Sequence, residues 1–175
     1  MALPAREAER RLAAEAAAGD QQAFAALFES HREQVYRVAR AVTGDGEAAK
    51  DVVQETFVKV YLGLARWRAD ASLRTWIVRI AVRTAIDHKR RSKRRPAMAT
   101  GDEPAHDPRP GLEDALALAR VQQLAERLEG RQGLILRLRL LGDLSNREIA
   151  EALGLREPNV RMQVTKAVRR LREML

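Results

Sequence analysis

Apolar residues return every third or fourth position through most of this chain, the period of a helix with one buried face. Between residues 23 and 42 the recurring set is Phe24, Leu27, Phe28, Val35, Val38 and Ala39, ending at the turn Gly44-Asp45-Gly46. A second set, Val53, Phe57, Val60, Tyr61 and Leu64, predicts a helix over 47–64. A loop over 65–71 leads to a third helix starting at Ser72, whose hydroxyl suits an N-cap, and running into the basic stretch that ends at Arg95.

The pattern resumes with helices predicted over 112–128 and 132–141, followed by a short, tight pair. Ser145 and Glu148 have the spacing of a capping box before the helix 146–153, and Gly154 suits its C-cap. Pro158 fits the first turn of a last helix, whose inward face is Val160, Val164, Ala167, Val168 and Leu171. Short helix, glycine-containing turn and basic helix form the signature of a helix-turn-helix.

Between these two blocks lies PAMATGDEPAHDPRPG, which holds four of the six prolines and has no helical period. It reads as a flexible linker over 96–111. The expected architecture is all-α, with two small helical domains over 19–95 and 112–175. Residues 1–18 form a short helical lead-in, expected to fray.

A chain of 175 residues suffices for one medium domain or two small ones, and its apolar content is mainly Ala, Leu and Val. It has no cysteine, which excludes disulfides and thiolate metal sites and fits a reducing cytosol. No apolar run has signal-peptide or membrane-spanning length, so a cytoplasmic chain without membrane insertion is expected. His31, His88 and His106 lie in three separate segments, and no GxxxxGK loop or nucleophile–base set is present. Catalysis, a metal site and a cofactor are therefore not expected.

Charge sharpens the picture. Residues 66–95 contain eleven Lys or Arg against two Asp, a net of +9, while the whole chain is +8. The excess is held in one window, as in proteins that meet a polyanion. Both tryptophans, Trp67 and Trp76, lie in it. At about 100° per residue, Arg79, Arg83, Arg90 and Arg94 share one edge of the third helix with Trp76. Cations beside flat rings can hold phosphates and stack on unpaired bases, although spacing alone leaves Trp76 equally open to a core role. Asp51, Gln54 and Glu55 line the polar face of the second helix, a pattern that fits a solvated face or a protein contact. In the last helix Arg156, Asn159, Arg161, Gln163, Lys166, Arg169 and Arg170 are the candidates for duplex contact, the earlier ones toward the groove and the later ones toward phosphates.

Taken in order, DVVQETF (51–57), RWRADASLRTWIVRIAVRTAIDHKRR (66–91) and LLGDLSNREIAEALGL (140–155) resemble the extracytoplasmic-function sigma factors of bacterial RNA polymerase. The resemblance covers residue 19 to the C-terminus. It implies binding to core RNA polymerase, with Asp51, Gln54 and Glu55 on the clamp helices of the largest subunit. It also implies that the loop 67–73 and the helix carrying Arg74, Trp76, Arg79, Arg83, Arg90 and Arg94 read and open the −10 element of promoter DNA, with Trp67 in the loop. The C-terminal domain would read the −35 element and meet the flap of the second-largest subunit. The family commonly has a cognate anti-sigma factor, so one is an expected partner. Two departures stand out: Pro158-Asn-Val-Arg-Met-Gln163 replaces a more usual Gly-Thr-Val-Lys-Ser-Arg run, and Lys50 stands where an acid is usual. The rival reading is a stand-alone helix-turn-helix regulator that binds duplex DNA without polymerase. A weaker third is an adaptor that uses the fold to sequester a partner.

Overall fold

The computed structural model describes residues 2–94 and 123–174. Helices α1 (Ala2–Ala17), α2 (Gln21–Thr43), α3 (Gly46–Gly63) and α4 (Leu73–Arg94) make the first block, with one 3₁₀ turn, Leu64–Arg66, after α3. Residues 123–127 are helical and lead into α5 (Gly130–Leu140), α6 (Asn146–Leu153) and α7 (Glu157–Glu173). Among the described residues there is no strand, so the all-α expectation holds. The expected linker 96–111 and most of the helix expected over 112–128 lie outside the described residues.

The turn at 44–46 does two jobs. Gly44 ends α2 in the left-handed conformation at φ 79, and Asp45 caps α3 by accepting the Ala48 N–H at 2.6 Å. Asp20 caps α2 in the same way, accepting from Gln22 and Ala23. Leu27, Val35 and Val38 of α2, Val52 and Val60 of α3, and Leu73, Ile77 and Ala81 of α4 are fully buried. Each large one contributes about 1.5–3 kcal/mol through burial. Phe28 and Phe57 join α2 to α3 with ring centroids 4.6 Å apart.

Two features differ from the sequence expectations. The lead-in is a docked helix: Ala13 and Ala16 of α1 are buried in the main core, because two small residues four or fewer positions apart allow close approach to α2. Tyr61, counted in the buried stripe of α3, is exposed and meets Phe24 edge-on at 5.1 Å.

The main core continues into the second block, taking in Ile135 and Leu138 of α5, Leu144, Ile149 of α6 and Val160 of α7. A smaller core gathers Ala125, Leu128, Leu136, Ala167 and Leu171. Gly133 makes this second core possible. A Cβ there would stand 1.7 Å from the Leu128 carbonyl oxygen, so no other residue lets the preceding turn lie against α5. Arg137 ties the blocks together from within: its guanidinium donates to the carbonyls of Ala41, Leu128 and Ala125 at 2.9, 2.9 and 3.2 Å. It thus occupies the carbonyl end of α2, where a cation also meets the helix dipole. Lys89 of α4 serves that same end through the Val42 carbonyl at 2.8 Å.

Candidate nucleic-acid interface

Ser72 caps α4 as expected, accepting the Thr75 N–H at 3.1 Å. The helix then buries Leu73, Ile77, Val78, Ala81, Val82 and Ala85, two adjacent rows at a spacing of four. The opposite side is left with the cations. Arg83 and Arg90 are exposed. Arg74 and Arg79 are about a third exposed and already engaged. The side chain of Arg94 lies outside the described residues.

Trp76 is half-buried and packs on the main core. Its six-membered ring lies over Gly63, where a Cβ would come within 3.2 Å of the ring. One edge of Trp76 is therefore structural, and the other flanks the arginines. Trp67 also packs on the core, and its indole N–H is enclosed with no acceptor among the described residues. Between them the loop turns at Ala69, held at φ 58, a conformation that costs an L-residue with a Cβ about 1–2 kcal/mol. Such strain persists where surrounding structure holds it, often at binding loops.

A cleft of about 300 Å³ opens beside this loop, walled by Glu9 and Arg10 of α1, by Trp67, residues 69–72 and Thr75, and by Arg147, Glu148 and Glu151 of α6. Across it the two blocks exchange ion pairs. Arg74 meets Glu148 and also donates to Gln34 at 3.2 Å. Arg79 meets Glu151 at 2.8 Å, and Arg147 holds the other oxygen of Glu151 at 3.0 Å. Gln34 in turn donates to the Gly142 carbonyl at 2.6 Å. Burial opposes ionisation of Glu151, but the hydrogen bonds from Arg147 and Arg79 outweigh it and hold its carboxyl below the usual range.

On α3, Asp51 and Gln54 are exposed, whereas Glu55 is partly buried and bonded to Lys59 at 2.8 Å and Arg91 at 2.6 Å. Burial again opposes its charge, and the bonds to Lys59 and Arg91 again win. The same face continues as an apolar strip: Val58 is 58 %, Tyr61 53 % and Leu62 71 % exposed. At about 100° per residue, Asp51, Glu55, Val58 and Leu62 fall within about 60° of one another. The sequence reading missed this strip, although Val58 and Leu62 at i+7 and i+11 from Asp51 carry the signal.

The helix-turn-helix forms as its sequence predicts. Ser145 and Glu148 close a reciprocal capping box, and Gly154 ends α6 at φ 67. Helix α7 starts at Glu157, one residue before Pro158, with Arg156 as its exposed N-cap. Val160, Ala167 and Leu171 are buried, while Asn159, Arg161, Lys166, Arg169 and Arg170 are exposed. Arg161 pairs with Glu157 at 3.3 Å, and Arg170 donates to Gln132 at 3.1 Å. Gln163 is half-buried with its side-chain oxygen enclosed, so in this arrangement that oxygen is turned from solvent. The carboxylates of Glu148 and Glu151 had no signal of their own, since a capping box and a surface acid explain both locally.

The family model for Sigma-70 region 2 matches residues 27–95, and that for Sigma-70, region 4, matches residues 118–171. The chain is 32% identical over 159 residues to the ECF RNA polymerase sigma factor SigM of Mycobacterium tuberculosis, covering 90% of this chain and 80% of that one. It is 30% identical to the RNA polymerase sigma factor SigV of Bacillus subtilis, covering 83% and 86%. Among solved structures, CnrH in complex with the cytosolic domain of CnrY superposes with a TM-score of 0.70 at 28% identity, covering 95% of this chain and 96% of that one. The sigma factor RpoE of Bartonella quintana, solved with the anti-sigma factor NepR, shares the fold at a TM-score of 0.65 and 18% identity, over 86% and 94%. No described helix is long and apolar enough to cross a membrane. The chain belongs to the sigma-70 family, as an alternative sigma factor of the extracytoplasmic-function type.

Proposed function

We propose that this chain binds core RNA polymerase through α3, directs it to promoters through α7, and opens the −10 element with the loop 67–72 and α4. The observation that carries this reading is the division of labour among three faces. Asp51, Gln54 and Glu55 give α3 an acidic patch, and Val58, Tyr61 and Leu62 extend it with apolar area that a protein partner can bury. Helix α4 supplies cations beside two tryptophans, suited to phosphates and splayed bases. The exposed start of α7, with Asn159 and Arg161, suits the major groove.

Polymerase would supply the chemistry, so the role is one of binding, and it would be exercised in the bacterial cytoplasm. The clamp helices of the largest subunit are the fitting partner for α3, and the flap of the second-largest subunit for the C-terminal block. CnrH was solved with the cytosolic domain of CnrY, and RpoE with the anti-sigma factor NepR. An anti-sigma factor is proposed here on that likeness.

The test is transcription from a candidate promoter by core polymerase with and without this chain, with permanganate probing of thymines in the −10 region. Specific transcripts and reactive thymines only in its presence are expected. Promoter binding by the chain alone, with no gain from polymerase, would favour a stand-alone helix-turn-helix regulator instead.

A further inference from the structure

We infer that Met162 of α7 reads a thymine methyl group in the −35 duplex, and so sets a base preference that the cations around it do not. This rests on the proposed −35 role of α7 and names the chemistry of that site.

The position comes from the helix period. Val160, Ala167 and Leu171 of α7 are buried, and Met162 lies about 140–180° from all three at about 100° per residue. Met162 therefore occupies the centre of the face turned away from the protein, where it is 46 % exposed. Pro158, Asn159, Thr165 and Lys166 fall within about 60° of it, and all four are exposed.

That face offers little polarity along its middle. Pro158 has no hydrogen-bonding side chain, and Thr165 donates its hydroxyl to the Arg161 carbonyl at 3.1 Å. Arg161 itself pairs with Glu157 at 3.3 Å, and Gln163 has its side-chain oxygen enclosed. In the more usual run a serine stands where this chain has Met162. A hydroxyl pairs with several base edges, whereas a thioether is at most a weak acceptor. The substitution thus changes what the centre of the helix can read.

The surroundings fix the occupant. Arg156, Lys166 and Arg169 are exposed around this row, a charge that suits the phosphates flanking a groove. Of the four bases, thymine alone presents an apolar group, its C5 methyl, to the major groove. An unbranched, polarisable side chain adapts its shape to such a group. Cations hold the duplex whatever its sequence. Burial of the methyl against Met162 favours an A·T pair, and in one orientation.

Holoenzyme assembled from core polymerase and the full chain is used to select −35 sequences from a randomised promoter library. Each thymine of the selected element, on either strand, is then replaced singly by uracil, which removes the C5 methyl and keeps the pairing. Competition binding of these promoters is compared for the parental chain, Met162→Ala and Met174→Ala. Met174, 44 % exposed at the far end of α7, is the control.

At one or two positions uracil should weaken parental binding about fourfold, the worth of one buried methyl group. Met162→Ala should abolish that penalty, and Met174→Ala should keep it. With cytosine in place of the same thymine, 5-methylcytosine should bind tighter than cytosine by about the same factor, in the parental chain and not in Met162→Ala. A selected element in which no uracil costs affinity overturns the inference without any substitution in the protein. So does a penalty that survives Met162→Ala, which would assign the methyl to Thr165 or to DNA shape. Loss of core capture by Met162→Ala with the uracil penalty intact would place Met162 on polymerase instead. A library that returns no −35 preference removes the −35 role of α7 together with this inference, whereas a selected element indifferent to uracil leaves that role standing.

Discussion

Glu55 of α3 and Arg91 of α4 are bonded at 2.6 Å, so the proposed polymerase face and the proposed −10 helix share an ion pair. Lys59 holds the other oxygen of Glu55 at 2.8 Å. Glu55 is therefore spoken for in a way that Asp51, exposed one turn earlier, is not.

That difference separates two substitutions on one face. Asp51→Lys should abolish capture of core polymerase with a stability change within about 0.5 kcal/mol, as for an exposed site. Glu55→Lys should abolish capture too, but it also frees Arg91 and Lys59. Because those pairs are partly exposed and screened, the added cost is no more than about 1 kcal/mol. Pull-down of core polymerase paired with urea unfolding reads both effects. Capture at parental strength by the double variant would remove α3 from the interface.

Gly133→Ala should be among the most damaging single methyl additions in the chain. The new Cβ would overlap the backbone carbonyl of Leu128, and backbone cannot rotate away as a side chain can. A loss of about 3 kcal/mol or more is expected, concentrated in the second block. Hydrogen exchange resolved by segment should show lost protection in α5 and α7 before α3. Uniform loss across the chain would mean that the blocks unfold as one unit.

Helix periods, caps and the helix-turn-helix were legible because each is written locally, as in Ser145/Glu148 or Gly44-Asp45. Docking between blocks was not. Arg137 sits in LILRLRLL, where alternating arginines read as an outer face, yet burial sends it to the carbonyl of the distant Ala41 and to those of Ala125 and Leu128 in the preceding turn. Glu148 is explained fully by its own cap, so nothing in the sequence says that it also meets Arg74. Alanines at 13 and 16 look like ordinary helix formers until α2 is placed beside them.

Arg137→Met tests the buried cation. Three carbonyls would lose their donors, and an unpaired buried acceptor costs about 1–3 kcal/mol, part of it recovered because removing the charge also removes its desolvation penalty. A net loss of about 2–3 kcal/mol in urea unfolding is expected, with Arg137→Lys falling between the two. Parental stability for Arg137→Met would show that water replaces the guanidinium at no cost.

Acid should loosen the contact between the blocks through Glu151. Its folded carboxyl lies below the ordinary value of 4.5, so its stabilisation is fully present above that value and is lost as pH falls through the folded pKa. The groups facing it are Arg79 from α4 and Arg147 from its own helix, both charged throughout, with Glu9 and Arg10 of α1 bordering the same cleft. Energy transfer between dyes attached through Ala26→Cys on α2 and Glu173→Cys on α7, both exposed positions, should be flat from pH 8 to 6 and fall below about pH 4.5. Glu151→Gln should remove most of that step. A transition near pH 6.5 would point to histidine instead.

The two ends of α7 should differ in what they read. Asn159 and Arg161 stand in its first turns, and Arg161 makes an exposed pair with Glu157 at 3.3 Å, which a base edge can displace. An arginine bidentate to guanine gives about 1–3 kcal/mol of discrimination. Arg161→Ala should therefore relax preference at one or two −35 positions. Arg169 is exposed two turns later, where a phosphate contact lowers affinity without choosing sequence. Its loss should flatten the log–log salt dependence by about 0.9 and leave preference intact. Gln163 supplies the internal control: its side-chain oxygen is enclosed, so Gln163→Ala should alter −35 preference less than Arg161→Ala does. A promoter-library selection with all three variants measures this order. Unchanged preference for Arg161→Ala would move that residue from base reading to backbone contact, and a larger effect at Gln163 would mean that α7 repacks on DNA.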